Sequence, residues 1–391
     1  MTMDRPGPPL RIAFLGDFDG PHTRRWLRVF VACGHDVHAI AYYQPESEIP
    51  GVTLHVLSPA LAPSSVADSP ATDSRLSSRL PPSFLRFGQA LRYKRAGLKE
   101  TLAAIRPDIF HAHYAVEHGF YGAFTHFHPY VVSCWGSDIL IESHKPLGRF
   151  IARHALRSAD TVTANDPAMA SRIVEMGIPE ENVALIRLGV DPEFLERSLA
   201  EAPAEPIIIS DRALEPLYNV DVILRAFAGL RERLPAARLL VAHDGSQRRA
   251  LEVLARELNL GDSVSFLGRL TPQELLDALV TAAVYVSVPS SDSLALSTME
   301  AMAAGAFPVV SDLPSQDGWI THGQTGLRVP AGDDGALADA FHTALTNAEL
   351  RQKARVANRR RVEMEGNLET NMLLMERYYY VLAGRPLGET I

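Results

Sequence analysis

Short apolar runs alternate with segments of helical period along almost the whole chain. This is the pattern of a parallel sheet assembled from strand–helix–strand units. In the first half the predicted strands are RIAFL (11–15), DVHAIA (36–41), TLHVL (53–57), DIFHA (108–112), PYVVSC (129–134) and TVTA (161–164). In the second half they are PIIIS (206–210), RLLVAH (238–243), SVSFLG (263–268), VYVSV (284–288), FPVVS (307–311) and GLRVP (326–330). Val220, Ile223, Phe227, Leu230 and Leu234 recur at helical spacing and predict a core-facing helix. Thr271, Pro272 and Glu274 predict a helix start, as N-cap, first helical residue and closing member of a capping box. Each half has strands enough for its own sheet. The expected fold class is α/β, two open Rossmann-like domains with a cleft between the carboxyl ends of their sheets, where ligands of such folds bind.

Composition sharpens this only in places. The 391 residues suit two domains, and 47% hydrophobic with 21% charged residues excludes whole-chain disorder. No apolar run approaches the roughly 18 residues of a membrane span, and the N-terminus lacks an apolar secretory core. Two cysteines, Cys33 and Cys134, make no disulfide framework, which fits a cytoplasmic setting. A net charge of −8 argues against bulk nucleic-acid binding. That total hides a basic stretch, 75–99, in which Arg79, Arg86, Arg92, Lys94 and Arg95 interleave with Phe84, Leu85, Phe87 and Leu91. It reads either as a helix packing its apolar side on the sheet or as a peripheral membrane contact. The Ser-, Pro- and Ala-rich segment 58–83 reads as a surface loop, and 195–207 as an interdomain linker.

Neither a G-x-G-x-x-G after a strand nor a P-loop is present, which lowers the case for a dinucleotide oxidoreductase or a P-loop enzyme. The informative segment is 288–312, VPSSDSLALSTMEAMAAGAFPVVSD. A buried strand ends at Val288, a polar loop carries Asp292, and a small-residue helix starts near Ser297 and contains Glu300. Amides around Leu296, Ser297 and Thr298 would form an anion site suited to phosphate oxygens. The two carboxylates beside them can accept hydrogen bonds from sugar hydroxyls. An ordinary strand-to-helix turn with solvated carboxylates is the alternative.

The chain resembles a family 4 glycosyltransferase of the GT-B fold over essentially its full length. The stretches that carry the resemblance are 11–41, 107–119, 129–140, 183–195, 242–275 and the pattern Asp292-x7-Glu300, similar to the family's paired-glutamate motif with Asp in first place. By that resemblance Glu300 binds the ribose of the nucleotide and Asp292 contacts the donor sugar. Backbone amides from Leu294 through Leu296 and Ser297 to Thr298 hold the sugar edge and diphosphate. Arg212 neutralises the departing diphosphate, a task its fixed guanidinium geometry suits. The backbone of Phe266, Leu267 and Gly268 frames the base, and Gly20 approaches the diphosphate from the first domain. His22, His113, Trp135 and Asp138 are acceptor-side candidates, with His113 also a catalytic candidate.

The implied activity is transfer of a sugar from a nucleotide-diphosphate donor, a UDP- or GDP-sugar, to a hydroxyl acceptor with retention at the anomeric carbon. The acceptor would be a glycan, a lipid-linked species or a small molecule, met in the cytoplasm or at the inner membrane face. The implied domains are residues 1–203 on the acceptor side, 204–365 on the nucleotide-sugar side, and a helix and tail, 366–391, packing back on the first. Three departures stand out. Tyr218 or a neighbour occupies the place of a Lys that commonly assists the arginine, with Arg269 a substitute cation. Trp135 stands where many members have a His, and Leu188 replaces an Asn. A nucleotide-sugar epimerase of the same fold and a non-catalytic carbohydrate- or nucleotide-binding protein are the alternatives. Five histidines, His111, His113, His118, His126 and His128, lie close in sequence without a zinc spacing, and Asp17–Asp19 sits in the wrong architecture for a metal motif; no metal or other cofactor is expected.

Overall fold

The computed structural model describes residues 7–57, 82–199 and 203–386. By contacts the chain divides into two units, one running to Ile186 and resuming at Met372, the other spanning Arg187–Asn371.

The first unit is built on β1 (Arg11–Leu15), β2 (Asp36–Ala41), β3 (Val52–Val56), β4 (Ile109–His113), β5 (Tyr130–Ser133), β6 (Thr161–Ala164) and β7 (Val183–Leu185). All pairings are parallel, in the order β3-β2-β1-β4-β5-β6-β7. Six of these strands were legible as apolar runs. β7 was not; it is three residues long, with no adjoining Gly or Pro to bound the run. Every residue of β4, β5 and β6 is buried, as expected for a sheet covered on both faces. Within the basic stretch, residues 75–81 lie outside the described ones, and a helix spans Pro82–Ile105. It buries Leu98, Leu102 and Ile105 in the core with Phe110, Tyr130 and Val132.

The last helix, Leu368–Leu382, closes this unit through polar contacts in a dry setting. Tyr379 Oη lies 2.5 Å from His111 Nδ1 on β4, and Tyr380 donates to the Pro8 carbonyl at 2.7 Å. His35 Nδ1 accepts from the Leu10 amide, so its Nε2 carries the proton and donates to Glu376 at 2.7 Å. Both side chains of that pair are wholly buried.

The second unit uses β8 (Ile207–Ser210), β9 (Arg238–Ala242), β10 (Val264–Gly268), β11 (Val284–Ser287), β12 (Phe307–Ser311) and β13 (Leu327–Val329). They form a six-stranded parallel sheet in the order β10-β9-β8-β11-β12-β13. The predicted stripe holds: helix Val220–Arg233 buries Val220, Ile223, Phe227 and Leu230, with Leu234 packed at its end. The capping box at Thr271 and Glu274 is present. Where the chain enters and leaves this unit, the Val190 amide donates to the Gly366 carbonyl and the Leu368 amide to the Val190 carbonyl. Gly189 has φ +78°, and a Cβ there would sit 2.6 Å from the Leu368 backbone. Arg359 gathers the entering segment by donating to the carbonyls of Phe194, Leu195 and Arg197, and ties it to the carbonyl of Ala303, after β11.

Removing Glu376 would leave the His35 N–H buried without an acceptor, at a cost of about 2 kcal/mol. Glu376→Ala is expected to lower the melting temperature by roughly 4–8 °C, given a unit of this size. Glu376→Gln keeps an acceptor oxygen and should restore most of that loss in the same calorimetric measurement.

Candidate functional site

Each sheet contains one point where strand order reverses, between β1 and β4 in the first unit and between β8 and β11 in the second. At such a point the connections leave on opposite faces and open a crevice at the strand carboxyl ends. Arg212, Asp292 and Ser297 follow the strands at one of these points; at the other, Gly20 follows β1 and His113 ends β4.

In the second unit Arg212 follows β8, while Asp292 and Ser297 follow β11. Arg212 Nη2 donates to Asp292 at 2.7 Å and Nη1 to Ser297 Oγ at 2.9 Å. Tyr285 Oη, rising from β11, donates to the same Ser297 hydroxyl at 2.8 Å. The Arg212 guanidinium lies 4.3 Å from the centre of the Tyr218 ring. The residue standing where a second cation was expected therefore supports the first one, and adds no charge. Arg269, the proposed substitute cation, is exposed. Burial opposes the charge on Arg212, but Asp292, Tyr285, Tyr218 and Asp211 beside it hold its proton more firmly than usual.

Helix Leu296–Ala304 begins one residue before its predicted start. The Thr298 amide bonds the Ala295 carbonyl at 3.2 Å, so the leading amides left for an anion are those of Leu296 and Ser297. Thr298 itself is buried, as are Leu294 and Glu300. Small residues Ala301, Ala303 and Ala304 let the helix press onto the sheet, ending at Gly305 with φ +91°. On the sheet edge, β10 shifts register between Phe266 and Gly268, and Leu267 between them is exposed. The Phe266 carbonyl receives a long bond from Arg248 at 3.4 Å, and the Gly268 carbonyl one from the His243 amide at 2.6 Å.

Two members of this site escaped sequence reading. Asp211 adjoins Arg212, and burial raises its carboxyl above the ordinary range against the pull of Arg212, Tyr285 and His243. Its Oδ1 is buried without a hydrogen-bond partner. Its position next to the arginine was a usable signal. Tyr285 had none, because a tyrosine in a buried strand reads as core.

In the first unit Gly20 precedes helix Pro21–Ala32, which carries His22, Thr23 and Trp26 past the end of β1. His113 ends β4, with Nδ1 3.2 Å from Thr23 Oγ1 and its Nε2 buried and unpartnered. Trp26 and Trp135 meet the His113 ring edge-on at 5.2 and 5.0 Å, and His22 stacks on Trp135 at 5.5 Å. The structure thus brings His22, His113 and Trp135 together. Asp138 has a different position: it is wholly buried and accepts from the amides of Ala115, Trp135, Gly136 and Ile139. Its carboxylate shapes the loop that presents Trp135. The five histidines take different partners: the His111 and His113 rings meet edge-on at 4.7 Å, His111 is bonded to Ser133 and Tyr379, His118 is stacked on Tyr42, and His128 is paired with Asp160. Among the described residues no three His, Cys, Asp or Glu side chains gather as a metal would require.

Two Rossmann-like units, each with candidate residues at its reversal point, place the chain in the GT-B class. Residues 20–189 match the glycosyl transferase 4-like domain and residues 191–361 match the glycosyl transferases group 1 model. The chain belongs to the family 4 glycosyltransferases. D-inositol 3-phosphate glycosyltransferase of Nocardia farcinica is 32% identical over 222 residues, 52% of this chain and 49% of that protein. The match thus spans about half that relative's length. N-acetyl-alpha-D-glucosaminyl L-malate synthase of Bacillus anthracis is 23% identical over 286 residues, 70% of this chain and 74% of that one. Among solved structures, Anabaena HepE in complex with UDP aligns over 95% of this chain and 100% of its own, with TM-score 0.73 and 17% identity. Sucrose-phosphate synthase of Thermosynechococcus elongatus covers 96% and 99%, with TM-score 0.76 and 21% identity. At those identities the likeness is one of fold.

Burial pushes His111 from its ordinary value of 6.5 down to about 3, and pushes His113 down as well. The folded protein keeps these rings neutral while the unfolded chain takes up protons below pH 6.5. Stability is therefore complete above that pH and declines as pH falls toward 3, by about 2 kcal/mol for His111 alone at pH 5. Melting temperatures between about pH 7.5 and 5 should show this decline, and His111→Gln should flatten part of it.

Proposed function

We propose that the chain transfers a sugar from a UDP- or GDP-sugar to a hydroxyl acceptor with retention at the anomeric carbon. The observation that carries this reading is Arg212, clamped by Asp292, Ser297 and Tyr218 at the reversal point of the second sheet. Breaking the sugar–diphosphate bond adds a negative charge to the leaving group, and a preorganised guanidinium meets that charge without reorganising. One hydrogen on each terminal nitrogen is committed to the clamp, and the other is available to a diphosphate oxygen. The leading amides of helix Leu296–Ala304 add partial positive charge at its open end. Glu300 receives the ribose hydroxyls, and the edge of β10 at Phe266–Gly268 frames the base. His22, His113 and Trp135 of the first unit are the residues proposed for the acceptor. Solved complexes of HepE with UDP and with UDP-glucose support a nucleotide-sugar donor.

The acceptor is a glycan, a lipid-linked species or a small molecule, and the reaction belongs on the cytoplasmic side, at or near the inner membrane face. Among the described residues no helix is long and apolar enough to cross a membrane. Tyr218 in place of a second cation and Trp135 in place of a histidine motivate the epimerase and non-catalytic readings. Nucleotide release from a panel of UDP- and GDP-sugars, with and without hydroxyl acceptors, separates them. Acceptor-dependent release supports transfer, acceptor-free interconversion means epimerisation, and binding without turnover means a binding protein.

Glu300→Ala is expected to weaken UDP or GDP binding at least tenfold by calorimetric titration; unchanged affinity would put the donor elsewhere. Arg212→Ala should lower kcat about 100- to 1,000-fold with a smaller change in donor affinity. Tyr218→Leu removes the ring under the guanidinium and should cost roughly threefold to tenfold in kcat.

A further inference from the structure

Helix Pro146–Arg157 follows the carboxyl end of β5 and returns toward the start of β6, so its first turns lie at the end of the sheet that carries His113 and Trp135. Its inner face is anchored: Ala152, Ala155 and Leu156 are buried, and His154 packs between Phe120 and Phe124. Its outer face is unusual for a protein surface. Leu147 and Phe150, one turn apart, are 70% and 67% exposed. Leu147 and Phe150 are the two most exposed large hydrophobic side chains among the described residues. Around them Lys145, Arg149, Arg153 and Arg157 are exposed, and no Asp or Glu occurs between Glu142 and Asp160. Glu142 itself is engaged with Lys145 at 3.2 Å. Gly148 allows the first turn to press on the preceding one, since a Cβ there would lie 2.1 Å from the Glu142 carbonyl.

We propose that this face is a docking site for an anionic lipid surface. An apolar pair in the first turns of a helix, flanked by Arg149, Arg153 and Arg157 with Glu142 tied to Lys145, combines the two contributions that hold a peripheral protein on such a surface. Acyl burial of Leu147 and Phe150 is short-range, and the attraction of Lys and Arg for anionic headgroups acts over a Debye length. Arg stems can lie along the apolar boundary while their guanidinium groups stay in the headgroup layer. A protein partner would have to supply an acidic rim around an apolar pocket; the lipid surface supplies both by its own layering. Within the basic stretch 75–99, Lys94 is held between the rings of Tyr42 and Tyr121, 4.0 Å from each centre. The proposal does not depend on the reaction assigned above. If the acceptor is lipid-linked, this surface brings it to the end of the sheet where His22, His113 and Trp135 meet.

The test is co-sedimentation of the full chain with vesicles of phosphatidylglycerol and phosphatidylcholine, and with phosphatidylcholine alone. Binding is expected to the anionic vesicles only and to be released by about 0.5 M salt. The double variants L147S/F150S and R149E/R153E should each weaken it at least tenfold while UDP binding and the melting temperature stay as in the parent. As an independent readout, Phe150→Trp fluorescence should be quenched by brominated acyl chains. Absence of binding to anionic vesicles, equal binding by the variants, or an unquenched Trp would overturn the proposal. So would a self-associated species, seen by light scattering, that L147S/F150S splits into monomers, because a second copy would then cover the face.

Discussion

A parallel strand cannot pair with the next one until the chain has crossed back over the sheet. That single requirement sends the helices that join successive strands onto the sheet faces and leaves the strand carboxyl ends as the place where loops of varied sequence can converge. With both faces covered, polar side chains near β1 and β4, or near β8 and β11, have nowhere to collect except the reversal points. Arg212 reaches Asp292 and Ser297 for this reason: about eighty residues separate them in sequence, but β8 and β11 are adjacent. His113 reaches Thr23 across the β1–β4 boundary in the same way.

The second sheet's site is organised around one cation. Asp292 and Ser297 orient the guanidinium, the Tyr218 ring supports it, and Tyr285 holds Ser297 from the strand below. Such a clamp makes the charge immobile, which matters more for a developing leaving-group charge than for ground-state binding. The candidate residues of the first unit lie in a different setting, which is aromatic. His113 and His111 are kept neutral by burial, and Asp138 is consumed by four loop amides. His22 and Trp135 stack beside the buried His113 ring.

Much of the fold was legible in single segments. Twelve of thirteen strands showed as apolar runs, and the small-residue helix, its glutamate and the arginine after β8 were all readable from local pattern and family likeness. What stayed hidden has a common cause. β7 is a short run with no adjoining Gly or Pro to bound it, Tyr285 looks like core until its hydroxyl is seen beside Ser297, and the four amides on Asp138 include that of Ala115, from a distant stretch of sequence. Tyr218 is the instructive case, for its sequence position implied a lost charge and its ring turned out to hold the remaining one.

The amino-acid sequence alone determined the alternation of strand and helix, the family, and the residue types available for phosphate and sugar chemistry. These are properties of neighbouring residues, written by periods of two and 3.6 and by short motifs. Only the tertiary structure decided which polar groups share a partner, which carboxylates are already spent on the backbone, and which apolar side chains on helix Pro146–Arg157 remain uncovered. Those outcomes depend on strand order and on what packs against each face, and no local stretch of sequence contains that information.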